Sequence, residues 1–352
     1  MYLYFVLFFL PVLAFFHFNK FLKIGDNFFY NSYILIIILF VGLRYGATDF
    51  FLYLEYFEST KDKFLSDLKL DNKITSYGYY ILNWLVGRLN LEFYVINLLC
   101  IILAVLSFHS FKNIPNKWIL WVTVFYTGII ILSMGFVRQG FAIFFIILAI
   151  NFLIYKRVFL FFFYATLAFL FHKTSIIFFL LIFFYFKKIN YKYFLLIIAP
   201  IVIIFIYEIK TFYKLFYLYV EQSSLRGAGG ESLGVYYRLP ISVLVALLFL
   251  VYKEQLSKNY IEKKVYIFFS FYIFLLIPVS IASTTLADRM LLYSFPLNII
   301  TFCRLENIFK NEVSKYKINL LIILIHFIFF FYCTLFSNTG IAWSIYKSYL
   351  FL

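Results

Sequence analysis

The chain has 352 residues, 65% of them hydrophobic and 13% charged, with a mean hydropathy of +0.94; a soluble domain is about 45–50% apolar and about 25% charged. Composition therefore excludes a soluble globular domain and points to an all-α polytopic integral membrane protein. The net charge of +15 invites a nucleic-acid reading, but the lysines are scattered between apolar runs as membrane topology requires, so no nucleic-acid partner is expected.

A helix needs about 20 apolar residues to cross a bilayer. Taken from the N-terminus, the apolar runs predict spans at 1–18, 28–43, 92–108, 118–135, 138–154, 158–171, 174–186, 193–209, 236–252, 265–285, 290–303 and 318–336. The first sixteen residues carry no charge and no small-residue cleavage site follows, so they read as a span and not as a removable signal peptide. The runs at 158–171 and 174–186 are short, and fit either one tilted hairpin or a partly re-entrant pair. Cys100 and Cys333 fall inside apolar runs and Cys303 at the end of one, with no metal-site or disulfide spacing. The expectation is one transmembrane domain over 1–352, about twelve helices, with long non-membrane segments at about 44–91 and 210–235. In the first of these, Tyr79, Leu82, Leu85 and Val86 predict one face of a surface helix; the second holds the Gly-rich LRGAGGES.

Lysine and arginine set the orientation. With the N-terminus outside, the inner loops collect seventeen basic residues against five acids, leaving fourteen and eleven outside. Both termini are then expected on the periplasmic face. The inner loops use fifteen lysines and two arginines, the outer segments eight and six. A guanidinium grips two phosphate oxygens at once and an ammonium acts as a point charge, so the outer arginines hint at an anionic ligand.

The unusual polar residues sort to that outer side. Arg44 and Asp49 follow the second span, in GLRYGATDFFLYLEYF. Arg138 and Gln139, in SMGFVRQGFA, sit between two spans with almost no loop. His172 and Lys173 lie in FLFHKTSII, Arg226 and Arg238 flank the Gly-rich segment, and Asp288 and Arg289 lie in LADRMLLY. Each also has a plain structural reading. An arginine at a helix end snorkels to headgroups, Asp288 and Arg289 form an ion pair, and a lone histidine is a hydrogen-bonded core residue. There is no GK[ST] phosphate loop, HExxH zinc site, GxSxG elbow or D-x-D metal pair. No metal or cofactor is expected, and a bound pyrophosphate would be neutralised by arginines.

In this order GLRYGATDFFLYLEYF (42–57), TSYGYYILNWL (75–85), VRQGFAIFFIILAI (137–150), LFHKTSII (170–177) and DRMLLY (288–293) resemble the EpsG branch of the Wzy-type polysaccharide polymerases. Thr48 and Phe50 stand where members often carry glycine and tyrosine, and Ser76 or Tyr77 where an acid precedes the Gly-Tyr pair. The resemblance implies an enzyme that extends O-antigen, capsule or exopolysaccharide on the outer face of the cytoplasmic membrane. It implies transfer of the growing glycan from undecaprenyl pyrophosphate to the next lipid-linked repeat. The partners implied are that lipid-linked oligosaccharide, membrane lipid, a flippase and a chain-length regulator. On this reading Arg138, Arg289 and Arg44 stabilise the leaving pyrophosphate. His172 or Asp49 accepts the proton of the acceptor hydroxyl. Tyr45 and Tyr53 meet sugar rings, and Gln139, Arg226, Arg238 and Asp288 support the glycan or the loops. A lipid-linked oligosaccharide flippase would place its polar residues near the bilayer midplane, and a membrane glycan O-acyltransferase would place its donor site in the cytoplasm. An accessory chain-length regulator usually has few spans.

Overall fold

The computed structural model describes residues 2–17, 25–46, 49–63, 76–111, 114–186, 217, 232, 234–336 and 346–349. Helices α1 (Tyr2–Phe15) and α2 (Asp26–Gly42) lead to a two-residue strand, β1 (Arg44–Tyr45), and then to α3 (Phe50–Glu58), α4 (Tyr77–Arg88) and α5 (Tyr94–His109). Helix α6 (Lys117–Val124) continues as a π-helix over Phe125–Gly135; α7 (Val137–Ile154), α8 (Val158–Phe171) and a 3₁₀ helix, Lys173–Tyr185, follow. Next come α9 (Gly234–Val251), α10 (Lys253–Leu256), α11 (Tyr260–Ala282), α12 (Thr284–Leu291), α13 (Phe295–Arg304), α14 (Glu312–Leu335) and β2 (Lys347–Ser348). Side-chain caps begin several of them. Asn116 accepts from the amides of Trp118 and Ile119, Asn259 from Glu262, Ser283 from Leu286 and Asn311 from Val313, each filling amides that a helix start leaves unbonded.

The chain is an all-α membrane protein. Among the described residues five helical runs are long and apolar enough to cross a bilayer: Lys117–Gly135, Val137–Ile154, Gly234–Val251, Tyr260–Ala282 and Glu312–Leu335. Five shorter apolar helices, Tyr2–Phe15, Asp26–Gly42, Tyr94–His109, Val158–Phe171 and Lys173–Tyr185, occupy other expected spans. The expected span 193–209 lies outside the described residues. Two expectations change. The run 290–303 is not a separate element, because α12, a 3₁₀ turn and α13 make one broken helical path from Thr284 to Arg304; DRMLLY is helical, not a connection. The short run at 174–186 is a 3₁₀ helix of 13 residues, which at roughly 2.0 Å per residue reaches about 26 Å where an α-helix would reach about 20 Å.

The chain forms two compact units, residues 1–148, 166–173 and 309–352 in one and 149–165 and 174–308 in the other. In the first, the run Lys117–Gly135 is almost wholly buried, with Trp121, Phe125 and Leu132 sealed from solvent. Here β1 pairs antiparallel with β2, Arg44 opposite Ser348 and Tyr45 opposite Lys347, so the chain after α14 returns to the end of α2. In the second unit α9 packs on α11, α12 and α13. Large apolar side chains such as Leu275, Ile281 and Phe159 stay exposed, as lipid-facing residues do. Asp26 pairs with Lys117 (2.5 Å), Glu254 with Lys263 (3.0 Å), Glu262 with Arg304 (3.0 Å) and Arg238 with Asp288 (2.9 Å). Each of these pairs joins residues that the charge count puts on one side.

The Glu262–Arg304 pair is the most deeply buried of these, its side chains 4% and 3% exposed. Arg304 Nη1 also donates to the Leu256 carbonyl (2.8 Å), and Glu262 Oε2 accepts from the Lys258 amide (2.6 Å). The pair thus ties α10, α11 and α13 together. Removing one partner leaves a buried charge uncompensated, which costs about 3–5 kcal/mol. Arg304→Leu is expected to lower the melting temperature and membrane abundance, while Glu262→Gln combined with Arg304→Leu recovers most of both. Equal loss in the single and double variants would show that the pair is not what ties these helices.

Candidate functional site

Gly42 ends α2 at a place where a Cβ would meet the Leu98 side chain at 2.2 Å, so α2 and α5 abut there. The next residues leave the helix in an extended path that β2 secures. The Tyr349 amide donates to the Leu43 carbonyl (2.8 Å), and the Tyr346 hydroxyl donates to the Phe40 carbonyl (2.7 Å) while its ring stacks on Phe40 (4.3 Å). The Phe40 carbonyl is one of those a helix end leaves without an intrahelical partner. Gly46 turns the chain with φ 104°, a region open to glycine.

This path buries Arg44 to 1% exposure. Its Nη1 donates to the Gly46 carbonyl (3.3 Å) and its guanidinium lies 5.6 Å over Phe50. Nε and Nη2 are buried, with no hydrogen-bond partner among the described residues. Burial pulls the group down to about 10, which still leaves a cation at neutral pH. The bonds left open are those of the Nε–Nη2 edge, the edge that takes a carboxylate or phosphate two oxygens at a time.

Arg138 is held by a different device. The π-helix ends at Gly135, Phe136 alone breaks the path, and α7 starts at Val137, as the near absence of a loop predicts. A Cβ on Gly140 would meet the Leu132 carbonyl oxygen at 2.3 Å, so the two helical runs touch backbone to backbone and Arg138 has a rigid base. Its guanidinium lies 5.7 Å from the Tyr53 ring and 5.6 Å from the Tyr56 ring, one turn apart on α3. It hydrogen-bonds Tyr53, and the groups that act on its charge are Tyr53, Tyr56 and Tyr79. Gln139 is buried, 2% exposed.

A third close approach brings TSYGYY to LFHK. A Cβ on Gly78 would meet the Phe171 ring at 2.8 Å, and Lys173, buried, places Nζ 4.9 Å from the Tyr77 ring. His172 sits half-buried at the break between α8 and the 3₁₀ helix, its amide bonded to the Ala168 carbonyl (2.9 Å). Asp49 takes the N-cap position of α3 without a side-chain cap bond. The Tyr45 ring packs against Phe50 (5.2 Å), Phe51 (5.9 Å) and Tyr349 (5.2 Å), inside an aromatic cluster. The first unit therefore gathers Arg44, Tyr53, Tyr79 and Arg138, and seats Asp49 and His172 on the motifs around them. On α4 the buried stripe is Tyr79, Asn83 and Val86, with Leu85 45% exposed. Asn83 stands in the stripe in place of the half-buried Leu82 and the exposed Leu85, because the stripe follows the helical i, i+4, i+7 spacing.

The second unit holds the other predicted residues. Asp288, on α12, pairs with Arg238 of α9, and its Oδ2 accepts from Ser232 Oγ (2.7 Å); the Ser232 amide donates to Thr284 Oγ1 (3.1 Å). The plain structural reading of the sequence pairs Asp288 with its neighbour Arg289. In the structure it neutralises Arg238 instead, because residue 288 faces α9 while Arg289 falls about 100° further round the helix. Arg289 is half-buried. Arg226 lies outside the described residues. Asn97 and the strand Lys347–Ser348 are absent from the sequence reading, which gives Cys100 no role; an amide within an apolar run is the signal that could have found the first.

In this all-α polytopic membrane protein, Arg44 and Arg138 lie among tyrosines and neither is paired with a carboxylate among the described residues. The chain belongs to the EpsG family, whose model matches residues 27–349. That family places it among polymerase-type membrane proteins of polysaccharide biosynthesis. No curated protein and no solved structure matches the chain.

Proposed function

We propose that this protein polymerises lipid-linked oligosaccharide repeats on the outer face of the bacterial cytoplasmic membrane, as a glycosyltransferase using an undecaprenyl pyrophosphate donor. The observation that carries the reading is Arg44: a buried cation whose Nε–Nη2 edge has no partner among the described residues, near Tyr53 and Tyr79, which also flank Arg138. Buried charges are ordinarily paired, so this edge calls for an anionic ligand. The acceptor hydroxyl oxygen forms a bond to the anomeric carbon of the growing glycan, and the bond from that carbon to the pyrophosphate oxygen breaks. The electron pair leaves on the pyrophosphate, where Arg44 and Arg138 meet the charge that builds. The hydroxyl proton passes to His172, with Asp49 the alternative base. In the second unit Arg238 serves Asp288.

The test is deletion of the gene. Cells lacking the protein are expected to make and flip lipid-linked repeats, and to display single-repeat glycan without long polymer. Accumulation of unflipped repeat on the inner leaflet would instead make the protein a flippase. Polymer of normal length would remove the polymerase reading.

A further inference from the structure

Asn97 lies in the first turn of the apolar helix α5, fully buried, and among the described residues neither its amide nitrogen nor its amide oxygen has a hydrogen-bond partner. Buried side-chain amides are nearly always bonded, so two idle atoms on one residue need a reason. Its place in the packing supplies one. Phe93, Asn97 and Cys100 share a face of α5 at i, i+4 and i+7. At one end of that face Phe93 meets Phe50 (5.3 Å) and Phe57 (5.8 Å) of α3. Phe50 is also the ring beneath Arg44. At the other end Cys100 is close enough to act on both Arg44 and Tyr79. Asn97, between them, therefore faces the Arg44 group. Tyr79 and Asn83 enter from α4, where the Asn83 Nδ2 donates to the Tyr79 carbonyl (2.7 Å) and its buried Oδ1 has no partner among the described residues.

Resting on the polymerase reading, we propose that Asn97 is the sugar-recognising member of the Arg44 site. Its amide bonds a hydroxyl or acylamino group of the sugar attached directly to the phosphate that Arg44 holds. The chemistry matches. A carboxamide offers one acceptor and two donors, the complement of a sugar hydroxyl or an acylamino group, and it adds no charge to compete with Arg44. The ligand class is a glycosyl phosphate: anion on Arg44, first sugar ring on Asn97 and Asn83. A site that bonds a substrate's polar group rejects analogues that lack it, so Asn97 sets which first sugar is accepted.

The test exploits what a merely structural amide would do. Replacing a buried, unbonded amide by an apolar group of similar volume removes a desolvation cost and is neutral or stabilising. If Asn97 only fills space, Asn97→Leu melts at or above the wild-type temperature and makes normal polymer. The inference expects the same unchanged or raised melting temperature, with loss of long polymer. The second measurement is thermal stabilisation of the purified protein by millimolar inorganic phosphate, hexose 1-phosphates and N-acetylhexosamine 1-phosphates. Wild type is expected to prefer one class of sugar phosphate over inorganic phosphate by on the order of 10- to 100-fold in apparent affinity. Asn97→Leu loses that preference and keeps its response to phosphate. Equal response of wild type to all the probes, or normal polymer from Asn97→Leu, overturns the sugar subsite and leaves the anion site standing. Absence of any phosphate response, with full polymer from Arg44→Lys, instead overturns the polymerase site on which it rests.

Discussion

Arg44→Lys is expected to abolish long polymer while the protein reaches the membrane at wild-type abundance. The substitution keeps the charge count and nearly the side-chain length. It removes the two parallel N–H groups of the Nε–Nη2 edge, which are buried and have no partner among the described residues. An ammonium offers a single point of charge in their place. It also loses its proton more readily when buried, whereas the guanidinium, even pulled down to about 10 by burial, stays charged at neutral pH. The pyrophosphate gains charge as it leaves, so a donor aimed at it counts most in the transition state. Losing one such donor in a dry site costs on the order of 10²–10³ in rate, enough to reduce a long glycan to a few repeats. A gel of the surface glycan beside an immunoblot of the membrane fraction reads the result. Arg157→Lys, an exposed arginine of the second unit, is the control and should match wild type. Long polymer from Arg44→Lys would reduce this arginine to a packing residue.

How much of this was legible in the sequence varies with the physics behind each feature. Apolar runs dictate membrane helices by length alone, so most expected spans coincide with helices. Finer geometry escaped. The π-helix at Phe125–Gly135 depends on bonds such as Phe136 amide to Ile131 carbonyl (2.8 Å), which composition does not encode. The 3₁₀ helix after His172 looks like an ordinary apolar run. The motifs around Arg44, Gly78, Arg138 and His172 fall in the first unit, and each was legible because it carries a residue whose lack of side chain is needed there or a charge in an apolar setting. Gly42, Gly78 and Gly140 all sit where a Cβ would collide. Partner choice was not legible. Asp288 lies beside Arg289 in the chain and pairs with Arg238, fifty residues away, because neighbours on a helix point in different directions. The contribution of Tyr346–Tyr349 is of the same kind: a backbone pairing across three hundred residues leaves no local trace.

The second large effect is expected at Arg138. Its guanidinium lies over the Tyr53 and Tyr56 rings and hydrogen-bonds Tyr53, on a helix start that Gly140 fixes against the Leu132 carbonyl. A planar cation over two rings spends one N–H on Tyr53 and keeps the others for a ligand. Arg138→Lys keeps the charge but loses the plane, so it loses both the placement over the rings and the paired donors. The expected fall in polymerisation is again on the order of 10²–10³, with normal abundance. Tyr53 grades the mechanism. Tyr53→Phe keeps the ring and deletes one hydrogen bond, worth about 1 kcal/mol or roughly fivefold, so polymer should shorten without disappearing. Tyr53→Leu removes the ring as well and should approach the loss in Arg138→Lys. The double variant Tyr53→Leu with Arg138→Lys should be hardly worse than Arg138→Lys alone, because both changes act through one guanidinium. Additive losses in that cycle would separate Tyr53 from Arg138 and assign the tyrosine a contact of its own with the glycan. Full-length polymer from Arg138→Lys would leave Arg44 as the sole anion-holding arginine of the first unit.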